Sequence, residues 1–394
     1  MELQFAAQAY QARSTQLLSQ QCINAFVEPT PREGKTQMPV YGIPGLSLFS
    51  RQGAGPIHGL HVMGTLLYAI SGNALYSVTN TGIPTLIGTT TIGGIASMAD
   101  NGQQLVMVDG DVGWIYQPTG LNQISTVTAA IGDTSIAANI TGTITTGDTL
   151  EINLDNGSVL TTTATATVGP NNTSISFANP LPDTVTAGAI IIDSSNVLAQ
   201  ITAPAFKAAS TVRYFDGYFV FNANGTPQFF ISSIDDGTQY SGLDFATATA
   251  GSENTVAIEI YHEQLLVLCG LHIEVWWDVG NVSFPFQRYD AAMIARGLSA
   301  PYAVTSEDNT VFWMGEDGIY YRLNGFLPQR VSTFAMEHAW SQYPQKFLDV
   351  SCFTLDQEGH KFIIVNFQSG QQTWVYDIAT SLWHQRESWG TPWV

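Results

Sequence analysis

Short apolar runs separated by tight turns recur along most of the chain. In TVFWMGEDGIYYRLNG (310–325), two apolar runs are separated by Glu-Asp-Gly, and Asn-Gly follows the second run. Runs of β-branched and aromatic residues bounded by Gly, Asn and Asp predict β-hairpins, because these turn residues tolerate a positive φ.

The hairpins form a repeat of six units. The units span 57–88, 95–125, 210–237, 255–280, 302–325 and 349–387. Neighbouring starts are roughly 40 to 48 residues apart except for one gap, close to the period of propeller blades. The second strands are almost wholly apolar: LLYAI, LVMV, YFVF, LLVL, VFWM and FIIV. Such strands must be covered on both faces, as the inner strands of propeller blades are.

The pattern therefore predicts an all-β fold, a β-propeller of six to seven four-stranded blades with an inserted small β-domain. A β-sandwich remains the alternative, although it would leave more alternating, half-exposed strands. The predicted divisions are an N-terminal arm with closing strands (1–51), blades 1 and 2 (52–125), the inserted domain (126–203) and blades 3 to 6 (204–394). The inserted stretch is rich in Thr and Ala, and the segment 332–344 is the best helix candidate.

Composition narrows the class of protein. Hydrophobic residues make up 45% of the chain and charged residues only 11%, against about 25% in soluble proteins generally. The net charge of −19 argues against a protein that holds nucleic acid by neutralising phosphates. No Lys or Arg lies between Gln52 and Phe206, where nine acidic residues fall: Asp100, Asp109, Asp111, Asp133, Asp148, Glu151, Asp155, Asp183 and Asp193. The simplest interpretation is a solvated acidic face.

Three distant cysteines, Cys22, Cys269 and Cys352, suggest neither a disulfide framework nor a zinc site. We expect no signal peptide and no membrane span, because no apolar run reaches 18 residues.

The sequence contains none of the common nucleotide-binding, zinc-protease, hydrolase or calcium motifs, and we expect no cofactor and no metal. His58 and His61 on one predicted strand are poor metal ligands. The pairs Glu307-Asp308 and Glu316-Asp317 lie at predicted hairpin tips, where acidic residues favour turns. We expect a structural role for all of them.

One stretch keeps an enzymatic alternative open. SIDDGTQY (233–240) resembles the Asp-box of sialidase-type propellers at Ser233, Asp235 and Gly237, and departs from it at Gln239 and Tyr240. In those enzymes the box is a structural turn between the third and fourth strands of a blade. A sialidase-like site would also need clustered arginines, and the nine arginines are spread along the chain. The alternative function is a glycan-binding or sialidase-like, glycoside-cleaving propeller.

Four further stretches carry a resemblance to a phage family. INAFVEPTPREGKTQMPVYGIPGLSLF (23–49) is followed by GNALYSV, and VWWDVGNVSFPFQR and WVYDIATSLWHQRES lie further along. Together they resemble the packaged-DNA stabilisation proteins, the tail hub or nozzle subunits, of short-tailed bacteriophages, over about 22–125 and 204–394. The 126–203 segment has no recognised counterpart, and the family usually continues beyond the point matched by WGTPWV.

The resemblance implies a structural virion protein of the phage tail that is not an enzyme and is assembled in the host cytoplasm. It would form a ring, a hexamer by the family resemblance, below the portal and adaptor proteins. The ring would retain packaged DNA, line its exit channel without sequence-specific binding, and dock a tail fibre or tailspike and a tail needle or tip. We hypothesise that Asp100, Asp109 and Asp111 form an acidic channel face along which DNA slides without adhering.

Overall fold

Six four-stranded antiparallel sheets dominate the computed structural model. It describes residues 9–11, 19–28, 38–118, 122–140, 144–169, 172–193, 197–281 and 283–393. Sheets 1 to 3 consist of Ile57–Met63, Leu66–Ser71, Ala74–Val78 and Pro84–Thr89; Ser97–Asp100, Leu105–Val108, Gly113–Gln117 and Val197–Gln200; and Val212–Phe215, Tyr218–Asn222, Gln228–Ile231 and Phe245–Thr247. Sheets 4 to 6 consist of Thr255–Tyr261, Gln264–Cys269, Ile273–Asp278 and Phe286–Ile294; Val304–Glu307, Thr310–Met314, Tyr320–Asn324 and Leu327–Arg330; and Val350–Gln357, His360–Phe367, Gln372–Asp377 and Leu382–Gln385.

The hairpins form where turn chemistry and apolar runs predict them. Asp308 and Asn309 have φ values of 51° and 57°, which joins Val304–Glu307 to Thr310–Met314 through a two-residue turn. All five residues of Thr310–Met314 are buried. The strand is thus covered on both faces, as its unbroken apolar sequence requires.

The sheets follow one another around a centre. The first strands of sheets 1 and 2, 2 and 3, 3 and 4, 4 and 5, and 5 and 6 pack side by side. Separate apolar clusters fill the spaces between sheets 1 and 2, 2 and 3, and 3 and 4, and one continuous cluster joins sheets 4, 5 and 6. The fold is all-β, as predicted, and the arrangement is propeller-like.

A separate sheet of six strands interrupts sheet 2. Its order is Val159–Thr163, Thr149–Asn153, Ile190–Asp193, Asn122–Ser125, Ser135–Asn139 and Ser174–Ser176. The chain leaves sheet 2 after its third strand and returns as its fourth, Val197–Gln200, which pairs with Gly113–Gln117. The prediction that residues 95–125 form one unit is therefore wrong for the last strand, because Asn122–Ser125 pairs inside the six-stranded sheet.

The N-terminal residues lie on sheet 6. Tyr10–Gln11 pairs with Ser19–Gln20, and Ala25–Val27 with Val40–Gly42. Ile23 forms a parallel bridge to Gln385 at the edge of sheet 6. The C-terminal hairpin is Glu387–Ser388 with Thr391–Pro392. The N-terminal strands were expected to close the ring. Within the described residues, they belong neither to the four strands of sheet 1 nor to those of sheet 6.

One helix, Phe334–Trp340, appears in the described chain, inside the segment predicted to be helical. Its Trp340 is fully buried, and its ring centroid lies 5.8 Å from that of Trp383 in sheet 6. Across the described ranges, no helix is long and apolar enough to span a bilayer.

Candidate functional surfaces

The centre of the sheet ring is crossed by a tyrosine. The Tyr302 hydroxyl, just before sheet 5, donates a hydrogen bond of 2.7 Å to the carbonyl of Ile95, just before sheet 2. Sheets 2 and 5 are three positions apart in the order of neighbours, so this bond joins opposite sides of the ring. Burial, with a smaller contribution from the charge of Asp109, raises the pKa of Tyr302 to about 12. The hydroxyl therefore remains a donor at neutral pH.

A cavity of about 480 Å³ opens beside this bond. Its lining includes His58, Asp109, Tyr302, Asp349 and Gln368. Sheets 1, 2, 5 and 6 all contribute to it or to its approach. The lining combines backbone-rich loops with a few polar groups, and within the described chain no group of three His, Cys, Asp or Glu side chains could hold a metal ion.

Asp100 lies at the end of the first strand of sheet 2. One of its carboxylate oxygens, Oδ2, is 2.6 Å from Nε2 of His61 in sheet 1, and the other accepts a hydrogen bond from the amide of Gly102. His61 thus joins two neighbouring sheets, while His58 lines the central cavity. The two histidines do not converge on a common ligand.

Asp109 and Asp111 lie at the opposite end of sheet 2 from Asp100. Asp100 pairs with Leu105, where the second strand begins, whereas Asp109 follows Val108, where it ends. Asp109 Oδ1 accepts hydrogen bonds from the amides of Asp111 and Val112, and Oδ2 from that of Gly93. The structure therefore brings Asp109 and Asp111 together and keeps Asp100 apart from them. The three residues do not form one cluster.

The segment that resembles an Asp-box is a turn between the third and fourth strands of sheet 3. The amide of Ser233 donates to the carbonyl of Gln239 and closes the turn. Asp235 has a φ of 54° and accepts a short hydrogen bond from the hydroxyl of Tyr214. Burial, followed by this bond, raises the pKa of Tyr214 to about 12.

This turn also docks on sheet 2. The amide of Gly237 donates to Oε1 of the buried Gln104 at 2.7 Å, and Gln104 Nε2 donates to Asp236 at 3.3 Å. Gln104 satisfies both of its polar atoms through the turn. The Asp236 carboxylate thus helps to hold sheets 2 and 3 together, and that of Asp235 is engaged by Tyr214 within sheet 3.

The arginines of the sheets are distributed and paired. Arg213 of sheet 3 binds Glu259 of sheet 4 through two hydrogen bonds of 3.1 and 2.8 Å. Four others face carboxylates at separate places: Arg288 with Asp290, Arg296 with Asp317, Arg322 with Asp308 and Arg330 with Glu337. Within the described residues, this arrangement offers no group of arginines converging on one substrate carboxylate.

The acidic pairs at the hairpin tips also link neighbouring elements. Glu307 binds Lys361 of sheet 6. Glu316 accepts the amide of Gly297, which follows sheet 4, at 2.7 Å, and Asp317 accepts the hydroxyl of Tyr321 at 2.7 Å. These contacts account for both pairs in structural terms.

Sequence reasoning missed a buried polar cluster on sheet 6. His360 Nδ1 lies 2.8 Å from Asp377, and its Nε2 lies 3.2 Å from Glu28 of the N-terminal arm. Arg386 Nε donates to His384 Nε2 at 3.1 Å. Burial, then the charge of Arg386, lowers the pKa of His384 to about 3. These residues lie far apart in the chain, and neither EGHKF nor WHQRE carries a motif that pairs them.

Comparison with known proteins gives one family match. The model named Phage_stabilise, described as "Bacteriophage P22 Gp10, beta-propeller", matches residues 147–391, more than half of the chain. None of the curated proteins compared with the chain matches it.

Solved structures give only remote likenesses. Apo AztD from Citrobacter koseri is 11% identical, with 94% of each chain covered and a TM-score of 0.39. The WD40 β-propeller domain of Doa1 is 10% identical, with 84% of this chain and 82% of that chain covered and a TM-score of 0.38. The phage phi92 endosialidase is 10% identical, with 97% of this chain and 57% of that chain covered and a TM-score of 0.26. At such scores these likenesses carry no argument about function.

Proposed function

The chain belongs to the phage family described as bacteriophage P22 Gp10, beta-propeller, and from that premise we propose that it acts as a tail hub which retains packaged DNA. Members of this family are structural proteins of the phage tail, so the chain is a component of the virion. The family match over residues 147–391 is the observation that carries the proposal. The six sheets are, in this proposal, the blades of one propeller, and the six-stranded sheet is a domain inserted in the second blade.

The proposed hub is a ring of several copies, six by the family resemblance, attached below the portal and adaptor. The bond between Tyr302 and Ile95 supports a multi-copy ring, because it brings opposite walls of one propeller within the length of a tyrosine side chain plus a 2.7 Å hydrogen bond. A DNA duplex is wider than its major groove, which alone measures about 12 Å. The duplex therefore cannot pass along the axis of a single propeller. The exit channel must therefore lie between copies. Fibres or spikes and a needle or tip would attach to the outside of this ring and to its far end.

The acidic residues favour a channel wall that does not hold DNA. With a net charge of −19, the wall makes few phosphate contacts that ejection would have to break. Because Asp109 orders its loop and Asp100 binds His61, the exposed Asp111 is the position at which charge can be changed with least effect on folding. Asp111→Asn should leave assembly intact and slow ejection, whereas unchanged ejection kinetics would remove this residue from the channel face.

Loss of the chain from its phage is the experiment that tests the proposed function. Particles made without it should package DNA and then lose it, so that the DNA becomes sensitive to added nuclease. Supplying the chain in trans should restore protection. Particles that keep their DNA protected without the chain would refute a role in retention.

A further inference from the structure

One face of sheet 1 carries exposed apolar side chains on its first and fourth strands, whereas Ala69 and Val78 on the two strands between them are fully buried. Paired residues of neighbouring strands share a face. Leu60 pairs with Ala69, Ala69 with Tyr76 and Tyr76 with Leu86, and Val62 on the same face pairs with Leu67. Leu60 is 58% exposed, Val62 62% and Leu86 56%. We call these three residues the open face of sheet 1. The opposite face carries Tyr68, Ile70 and Leu75, which are buried against sheet 2.

The other end of the series of sheets is treated differently. The outer face of sheet 6, formed by Phe362, Ile364 and Val375, is covered by Phe26 and Ile43 of the N-terminal arm and by Trp393. The chain thus covers one terminal sheet with its own residues and leaves the other open. Among the described strands, the first strands of sheets 1 and 6 do not pack side by side as those of the other neighbouring sheets do.

The segment that leads into sheet 1 carries further exposed apolar side chains. Leu46, Leu48 and Phe49 are 69%, 74% and 58% exposed. This segment lies along the sheet, since a Cβ added at Gly82 would come 2.3 Å from the carbonyl oxygen of Phe49. Six large apolar side chains, each more than half exposed, supply the apolar centre that a standard interface of about 800 Å² per partner requires. Clustered exposed apolar side chains are a mark of interaction sites.

The near absence of charge on this surface of sheet 1 indicates what kind of partner binds it. Residues 52–99 contain no Asp, Glu, Lys or Arg, although a run of 48 residues at the chain's 11% would carry about five. A charged partner would be recognised through complementary charges, and apart from the exposed Arg51 just before this run the surface offers none. Two copies that each carry −19 repel one another through most of their surface, and a charge-free patch is where that repulsion is least.

We propose that the open face of sheet 1 is the surface at which a second copy of this chain docks. The inference rests on the proposed ring, whose contact surface it names. Apolar side chains of the neighbouring copy would cover Leu60, Val62 and Leu86, as those of sheet 2 cover the opposite face. Because the contact is apolar and the remaining surfaces are acidic, added salt should strengthen association by screening the repulsion.

Sedimentation velocity of the purified chain over a range of concentrations tests this surface. The double variant Leu60→Lys, Val62→Lys is compared with Leu243→Lys, Leu271→Lys, which adds the same charge at two leucines that are 82% and 62% exposed on other sheets. We expect the wild type to self-associate, more strongly at 300 mM than at 50 mM NaCl. The first variant should raise the dissociation constant at least tenfold, and the control should stay within twofold of the wild type.

One outcome separates this inference from the proposed ring. If the wild type assembles and Leu60→Lys, Val62→Lys assembles equally well, the inference is overturned and the ring stands. A wild type that remains monomeric under all these conditions overturns the inference as well. A photo-crosslinking amino acid at position 60 covers the case in which the lysine variant fails to fold. It should link to a second copy of the chain, whereas the same group at position 243 should not, and equal linking at both positions would contradict the proposal.

Discussion

Gly237 offers a direct test of how the turn of sheet 3 packs against sheet 2. A methyl group at this position would lie 2.9 Å from Val106 Cγ2 and 3.1 Å from both Ile115 Cδ1 and Phe219 Cε2. All three side chains are buried, and two of them are fully inaccessible. The backbone at Gly237 does not have a positive φ. Gly237→Ala therefore tests the available space and not backbone strain.

The expected cost follows from these distances. Contacts of 2.9 to 3.1 Å require the neighbours to shift, and overpacking of this kind costs about 1–3 kcal/mol. Moving the turn away also weakens the 2.7 Å hydrogen bond from the Gly237 amide to Gln104, which adds about 1 kcal/mol. We expect Gly237→Ala to lower the free energy of unfolding by about 2–4 kcal/mol.

Gly242→Ala in the same loop is the matched control, because a Cβ there meets nothing within 4 Å. That substitution should be neutral or should stabilise by up to about 1 kcal/mol through the unfolded chain. Urea unfolding followed by tryptophan fluorescence measures both variants against the wild type. Equal unfolding midpoints for the two variants would show that the turn does not pack against Val106, Ile115 and Phe219 in solution.

Three other predictions concern charge and chemistry. The pKa of His384 is about 3 in the folded chain and about 6.5 in the unfolded chain, so the unfolded chain binds more protons between these two pH values. The contribution of His384 to stability is therefore complete above pH 6.5 and falls by about 1.4 kcal/mol per pH unit below it. The variant His384→Gln should lack this part of the loss when urea unfolding is measured from pH 7 to 4.5. Glu259→Ala should destabilise the fold by about 2–3 kcal/mol, because it leaves the Arg213 guanidinium without its partner. The double variant Arg213→Met, Glu259→Leu removes both charges and should have nearly the stability of the wild type. Equal losses of stability in the single and the double variant would contradict this explanation. The purified chain should not hydrolyse a fluorogenic sialoside between pH 5 and 8, and turnover that grows with enzyme concentration would revive the glycosidase alternative.

The hairpins could be predicted because their determinants are local. The stretch 310–325 combines a fully buried strand with the turn residue Gly318, whose φ is 77°, and both features are visible in the sequence. The turn at 233–240 likewise lies between third and fourth strands, as its resemblance to an Asp-box indicated.

Long-range pairing could not be predicted in the same way. NQIS (122–125) has the alternation and position of a fourth strand, but the partner of Gly113–Gln117 lies 80 residues further along, at Val197–Gln200. Nothing local distinguishes the two candidates, because any alternating strand fits a free sheet edge. The separation of Asp100 from Asp109 and Asp111 has a related reason. Asp100 and Asp109 are close in sequence, but one short strand carries the chain from one end of the sheet to the other.

The distribution of charge explains why a chain with so few charged residues keeps them where it does. Ion pairs link sheet 3 to sheet 4 through Arg213 and Glu259, and sheet 5 to sheet 6 through Lys361 and Glu307. Sheet 1 has the same four-stranded architecture and lies next to sheet 2, but residues 52–99 carry no such charge. Packing between sheets does not require this absence, since the seams between sheets 3 and 4 and between sheets 5 and 6 accommodate charged pairs. A surface with so little charge is what the proposed contact between acidic copies would need, because repulsion between the copies is least there.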